Sequence, residues 1–234
     1  MEFAYKELKV VYDLFLQNGY RFSFFGDYNS KGRVFLRHDV DCSITMALEM
    51  ANFEAGNGLT STFFIQPDND FYNPLSQKAL ENLSRIAELG HKIGLHISPS
   101  NCQNQEDLVQ YIDRTYNYFS GFFPVDRIFS FHRPGSFDGW RYIEVPGFVN
   151  TYHSKYFKEI FYFSDSNRRE FISSDLLEAP STGKSIQFLT HPIWWSEEGA
   201  SPKVISDKLF RDNFHEIRSA LRVNIRLFAN LLKD

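Results

Sequence analysis

The 234-residue chain reads as an α/β protein built on a largely parallel sheet. Three observations carry that reading. Short apolar runs alternate with stretches whose apolar residues recur at helical spacing, and such alternation builds parallel sheets. Arg33 to Cys42, RVFLRHDVDC, runs Val34, Phe35 and Leu36 straight into Arg37, His38, Asp39 and Asp41. A buried strand does this when it delivers charge to the rim of a sheet or barrel. Three further expected strands end at His96, His132 and His191, on the same rim.

In chain order, Leu8, Val11, Tyr12, Leu14 and Phe15 form a helical stripe over 4–18 that stops at Gly19. A loose alternation over 20–28 suggests a short strand, and 29–32 is turn chemistry. The strand at 33–40 follows. Ser43 suits the N-cap of a helix running to Ala55 and ended by Gly56. TSTFFIQ at 60–66 is a strand; 74–89 is a helix with Pro74 at its start and Gly90 beyond its end. HKIGLHIS at 91–98 is a strand, 99–104 a loop, 105–119 a helix, and 125–131 a strand closed by Arg133, Pro134 and Gly135. Strands are expected at 148–152, 159–163 and 184–190, then one long helix or two shorter ones over 203–232. No repeat or linker interrupts the chain, so one domain over 1–234 is expected.

Composition narrows the function. Apolar residues make up 43% and charged residues 23%, as in ordinary soluble proteins, and a net charge of −4 argues against nucleic acid as a partner. Aromatics at 17% supply core, or sugar-stacking surface at the rim. Cys42 and Cys102 give no disulfide framework. The first residues lack the basic and apolar regions of a signal peptide, and no window reaches a membrane span, so a cytoplasmic protein without membrane insertion is expected. Thr182-Gly183-Lys184-Ser185 imitates the end of a phosphate loop, but Glu178 stands where glycine is needed and a strand follows where a helix should.

Side chains alternate along a strand, so Arg37, Asp39 and Asp41 share one face. Two carboxylates on one face call for a positive partner: Arg37, another basic residue or a metal ion. Two imidazoles and a carboxylate form a common zinc set with a position left for water. A second carboxylate beside it could take that water's proton. His38 points to the other face, as a packed, hydrogen-bonded histidine. Asp165 reads as a turn or capping residue, or as a carboxylate orienting His191. Trp194 and Trp195 suit either a sugar subsite or burial against the last helix. His215 reads as a surface residue.

In the order HDVD, GHKIGLH, HRPG and LTHP, these segments resemble the NodB-type polysaccharide deacetylases, carbohydrate esterase family 4 (CE4), in a divergent branch carrying R-H-D-V-D. The resemblance implies a distorted (β/α) barrel of about seven mainly parallel strands with a divalent metal, zinc first, at its mouth. It implies Asp39 as general base, Asp41 and His96 as metal ligands, Arg133 as the arginine bracing the base, and His191 as general acid. One departure stands out. The second metal histidine is expected four residues after the first, where this chain has Ser100. His132 is the substitute proposed for it, with Cys102 and water as other candidates. His132 and Arg133 are consecutive, so both reach the mouth only if the strand ends early, at Pro134. The implied activity is metal-dependent removal of N-acetyl groups from a sugar or polysaccharide intermediate. The alternatives are hydrolysis of a non-sugar amide and a catalytically inert carbohydrate-binding relative.

Overall fold

Every ladder between strands is parallel, and the strand that leads into the acidic pair is an interior one, paired on both sides. In this computed structural model, which describes residues 2–137, 139–170 and 173–231, β1 (Arg21–Phe22) pairs alongside β2 (Arg33–Val40). The main path adds β3 (Thr62–Ile65), β4 (Lys92–Ile97), β5 (Ile128–Phe131), β6 (Val149–Asn150), β7 (Phe161–Ser164) and β8 (Ile186–Thr190). Their order is β6-β5-β4-β3-β2-β8-β7. The sheet curls into a half-barrel flanked by helices, the distorted α/β barrel the sequence leads one to expect.

The helices are α1 (Tyr5–Gln17), α2 (Ile44–Gly56), α3 (Gln77–Glu88), α4 (Gln105–Phe119), α5 (Ser154–Phe157), α6 (Ser174–Glu178), α7 (Pro202–Asn224) and α8 (Arg226–Leu231). Local chemistry sets their ends. Ser43, Ser76, Asn104 and Ser201 each accept a backbone N–H of the first turn. Pro74 therefore lies ahead of the cap of α3 and not inside its first turn. Gly56 falls within α2, and the left-handed residue that turns the chain is Gly58, at φ +71°. The expected helix over 203–232 is two helices broken at Ile225, which is extended; residue 232 lies outside the described residues. The expected strand over 20–28 contracts to two residues.

The alternation of β2 divides the core. Val34, Leu36 and Val40 pack outward with Leu8, Val11 and Phe15 of α1 and Ala47, Met50 and Ala51 of α2. Phe35 points inward to Phe25, Phe64, Ile128 and Tyr156. Leu95, Ile97, Phe129 and Phe131 bury a second apolar cluster against Leu108 and Ile112 of α4. Gly94 shows how tightly the interior is filled: a Cβ there would lie 2.6 Å from the Phe64 ring.

Candidate active site

The inward face of β2 continues from Phe35 to Arg37, Asp39 and Asp41. A buried carboxylate must be neutralised in place, and Arg37 does this for Asp39. Its Nε donates to Oδ1 and its Nη2 to Oδ2, both at 2.8 Å. Arg37 is fully buried; it also donates to Tyr152 Oη at 3.2 Å and Gln187 Oε1 at 3.3 Å, and lies 4.8 Å from the Tyr152 ring centroid. Burial alone would raise the Asp39 carboxyl, but Arg37 and then His96 outweigh it and hold it below the usual carboxylate range.

This corrects the expectation for Arg133. Among the described residues, Asp39 meets Arg37, Ser130 and His96, not Arg133. β5 ends at Phe131, and the His132 N–H still donates to Ile97 O at 2.8 Å. Arg133 then takes a left-handed φ of +49° and a 3₁₀ turn begins at Pro134. That bend lets His132 point to the cluster and leaves Arg133 exposed on the rim of the cleft.

Asp41, His96 and His132 converge. Asp41 Oδ1 lies 3.2 Å from His96 Nε2 and 3.4 Å from His132 Nδ1, and the two imidazole nitrogens are 3.3 Å apart. Donor atoms at ~2.0–2.2 Å from a shared tetrahedral centre lie roughly 3.3–3.6 Å from one another, so the triangle has the size of a metal-ligand face. The tautomer agrees. Ser130 Oγ donates to Asp39 Oδ1, so the 2.7 Å contact between Ser130 Oγ and His96 Nδ1 needs the ring N–H as donor. That leaves the Nε2 lone pair facing Asp41. Asp41 Oδ1 is buried, and no well-aligned hydrogen bond reaches it. A cation answers such an arrangement of lone pairs. Burial raises the Asp41 carboxyl; with protons on the facing nitrogens of His132 and His96 it is instead pulled far below the usual range.

Ser100 is exposed on the cleft wall, 3.1 Å from Ser98, and Cys102 packs against the α4 cluster. Neither belongs to the converging group; among the described residues, that group is Asp41, His96 and His132.

His191 follows β8, with Nε2 3.8 Å from Asp41 Oδ2. Its Nδ1 is 2.5 Å from Asp165 Oδ1, and its backbone N–H donates to Asp165 Oδ2. Trp195 Nε1 donates to the same oxygen at 2.8 Å, which fixes a fully buried carboxylate from both sides. Burial would lower the His191 pKa, but the hydrogen bond and charge of Asp165 prevail and raise it to about 9. Asp165 is thus the orienting carboxylate, not a turn residue, and Trp195 is buried behind it while Trp194 lines the cleft.

Ser130 and Gln187 are contributors that sequence reasoning passed over. Each is a polar residue in an apolar strand, IFSF and IQFLT, which is the signal that could have found them. His38 lies on the opposite face. It is fully buried, 2.7 Å from Thr190 Oγ1 and 2.8 Å from Glu54 Oε1, as part of the outer packing.

These groups floor a cleft of about 840 Å³ whose walls include Phe71, Tyr152, Phe157, Tyr162 and Trp194. No family pattern matches the sequence, and no curated protein does. Solved structures with a similar chain course include a CE4 esterase from Streptococcus mutans, at 15% identity over 90% of this chain and 87% of that one, TM-score 0.47. A CE4 family pseudoenzyme from Bacillus anthracis is 15% identical over 79% of this chain and 63% of that one, TM-score 0.44, so this chain spans less than two thirds of its length. A family 4 acetyl xylan esterase from Clostridium thermocellum, in complex with a cobalt ion, is 13% identical over 78% and 84%, TM-score 0.41. The half-barrel itself is consistent with the NodB type.

Proposed function

We propose that residues 1–234 form one metal-dependent hydrolase domain that removes N-acetyl groups from a sugar or polysaccharide intermediate. The observation that carries the reading is the triangle of Asp41, His96 and His132, with Asp39 on one side and His191 on the other. The three would hold a divalent ion, zinc by the type of donor. Such an ion supplies a Lewis acid for an acetyl carbonyl and acidifies water. Asp39, kept ionised by Arg37, accepts the proton of the attacking water. His191 carries a proton near neutral pH and donates it from Nε2 to the departing amine, while Asp165 holds Nδ1. The aromatic walls offer faces on which a sugar ring can stack.

One observation favours a second reading, a catalytically inert carbohydrate-binding relative. Both oxygens of Asp39 already accept a charge-assisted hydrogen bond from Arg37, which makes the carboxylate a weak base. One experiment separates the two. Zinc-loaded protein is incubated with N-acetylated oligosaccharides and released acetate is measured. Catalysis predicts acetate that disappears in Asp39→Asn. Oligosaccharide binding without acetate from the wild-type protein leaves the inert reading standing and sinks the first.

A further inference from the structure

The loop after β3 aims one amide into the cleft. In the ladders, Phe64 stands beside Asp39, and Ile65 beside both Val40 and Leu95. One residue further on, that register sets Gln66 between Asp41 and His96, two of the three converging groups. Phe64 faces inward, so Gln66, two positions on, does too, and it lines the cleft. It is only 9% exposed. The backbone decides which end of the amide faces out. The Phe71 and Tyr72 N–H groups donate to Asn69 Oδ1 at 2.7 and 3.1 Å, so the Asn69 amide nitrogen points the other way. That nitrogen donates to Asp41 O at 2.7 Å and to Gln66 Oε1 at 3.1 Å. Gln66 Oε1 is thereby held as an acceptor. Nε2 is left with two hydrogens that meet no acceptor among the described residues. Tyr72 Oη accepts from the Gln66 backbone N–H at 3.0 Å and donates to Val40 O at 2.7 Å, which ties the loop to the end of β2.

A nearly buried amide with one end fixed and the other unpartnered is placed to meet a ligand oxygen. The charge around it narrows the kind of oxygen. Asp68 and Asp70, both exposed, line the same wall. The arginines of the cleft, Arg133 and Arg141, come from the segment after β5, two strands away. A neutral donor on a wall with two carboxylates favours an uncharged oxygen over a phosphate or carboxylate. We propose that Gln66 is a specificity-determining residue whose Nε2 donates to a hydroxyl or acetamido carbonyl oxygen of a neutral sugar bound beside Asp41 and His96. The inference rests on reading the cleft as a sugar site, and it holds whether or not the sugar is hydrolysed.

The test titrates the zinc-loaded full chain with tetra-N-acetylchitotetraose and follows tryptophan fluorescence, since Trp194 lines the same cleft. Released acetate is assayed in parallel. Gln66→Met loses both ends of the amide. Gln66→Glu keeps an acceptor for Asn69 but has no donor at neutral pH. Each should weaken sugar binding roughly fivefold or more, the worth of one hydrogen bond. Zinc affinity of Gln66→Met should match that of the wild-type protein, because the amide serves the sugar and not the metal. An N-acetylated but acidic sugar, tri-N-acetylneuraminic acid, should bind the wild-type protein more weakly than the neutral one. Four results would overturn the proposal: either variant binding the neutral sugar like wild type, loss of zinc from Gln66→Met, an acidic sugar bound as tightly as the neutral one, or a wild-type protein that binds neither. Binding that depends on Gln66 without acetate release would leave the inference standing and sink hydrolysis. Acetate from a Gln66→Met protein that binds the sugar normally would do the reverse.

Discussion

Replacing Asp165 by Asn should take the extra proton off His191. In the folded chain His191 has a pKa of about 9 against an ordinary value of 6.5. Each pKa unit between folded and unfolded states corresponds to about 1.4 kcal/mol, so protonated His191 contributes about 3 kcal/mol to stability. Because the folded pKa is the higher one, that contribution is complete below pH 6.5 and is lost as pH rises through about 9. An Asn oxygen can still accept from Trp195 Nε1 and the His191 backbone N–H. Its amide, however, faces Nδ1 as a donor, which stabilises the neutral ring with its proton on Nε2. Burial remains and opposes charge, so the His191 pKa should fall toward 6.5. The assay is an NMR titration of the His191 ring protons in metal-free protein, with urea unfolding at about pH 6 and about pH 9.5. The wild-type protein should be more stable than the variant by about 3 kcal/mol at the lower pH, with the gap closing at the higher. A variant whose His191 still titrates near 9, or a gap that ignores pH, would refute the assignment of Asp165 as the group that charges His191.

Two further substitutions probe the other side of the site. His132→Ala should weaken zinc binding by at least the ~10–100-fold that loss of a supporting partner costs a metal site, read by calorimetric titration, while Cys102→Ala leaves it unchanged. Arg37→Met should destabilise the fold by about 3–5 kcal/mol, the cost of stranding a buried carboxylate, whereas Arg133→Met at the exposed rim should cost under about 0.5 kcal/mol; urea denaturation of the two variants checks both.

How much of this was legible in the residues varied with the kind of signal. The centres of the strands and the helix caps were plain, because apolar periodicity and side-chain oxygens at N-caps act locally. Strand ends were not. The run from Val125 reads as strand throughout, yet only Ile128–Phe131 finds ladder partners, and register is a property of the neighbour. The converging group was legible for the same reason the caps were: each member closes its own strand. The partners of Asp39 and His191 were uneven: Arg37 and Asp165 stood among the alternatives the residues offered, whereas Ser130 and Gln187 act through contacts between strands that spacing does not encode.

Val40 sets which way the two aspartates of this strand face. With Val40 between the two aspartates, Arg37, Asp39 and Asp41 stand at alternate positions and all face inward. Two adjacent aspartates in a regular strand would face opposite ways, whereas Arg37 shares the face of Asp39 whatever follows it. Arg37 braces Asp39 from within its own strand, at 2.8 Å through two nitrogens. A brace from β5 is then redundant, and the turn after Phe131 is free to send Arg133 outward and His132 in, 3.4 Å from Asp41. Ser100, the position where the sequence resemblance led one to expect a second ligand, stays exposed beside Ser98. Restoring a histidine at 100 should relieve the demand on His132, so zinc affinity lost in His132→Ala should be regained in part by Ser100→His only if the loop carrying residue 100 can close on the same face as His96. Calorimetric titration of the double variant decides this, and affinity no better than that of His132→Ala would show that β5, and not the loop after β4, is the element able to complete the site.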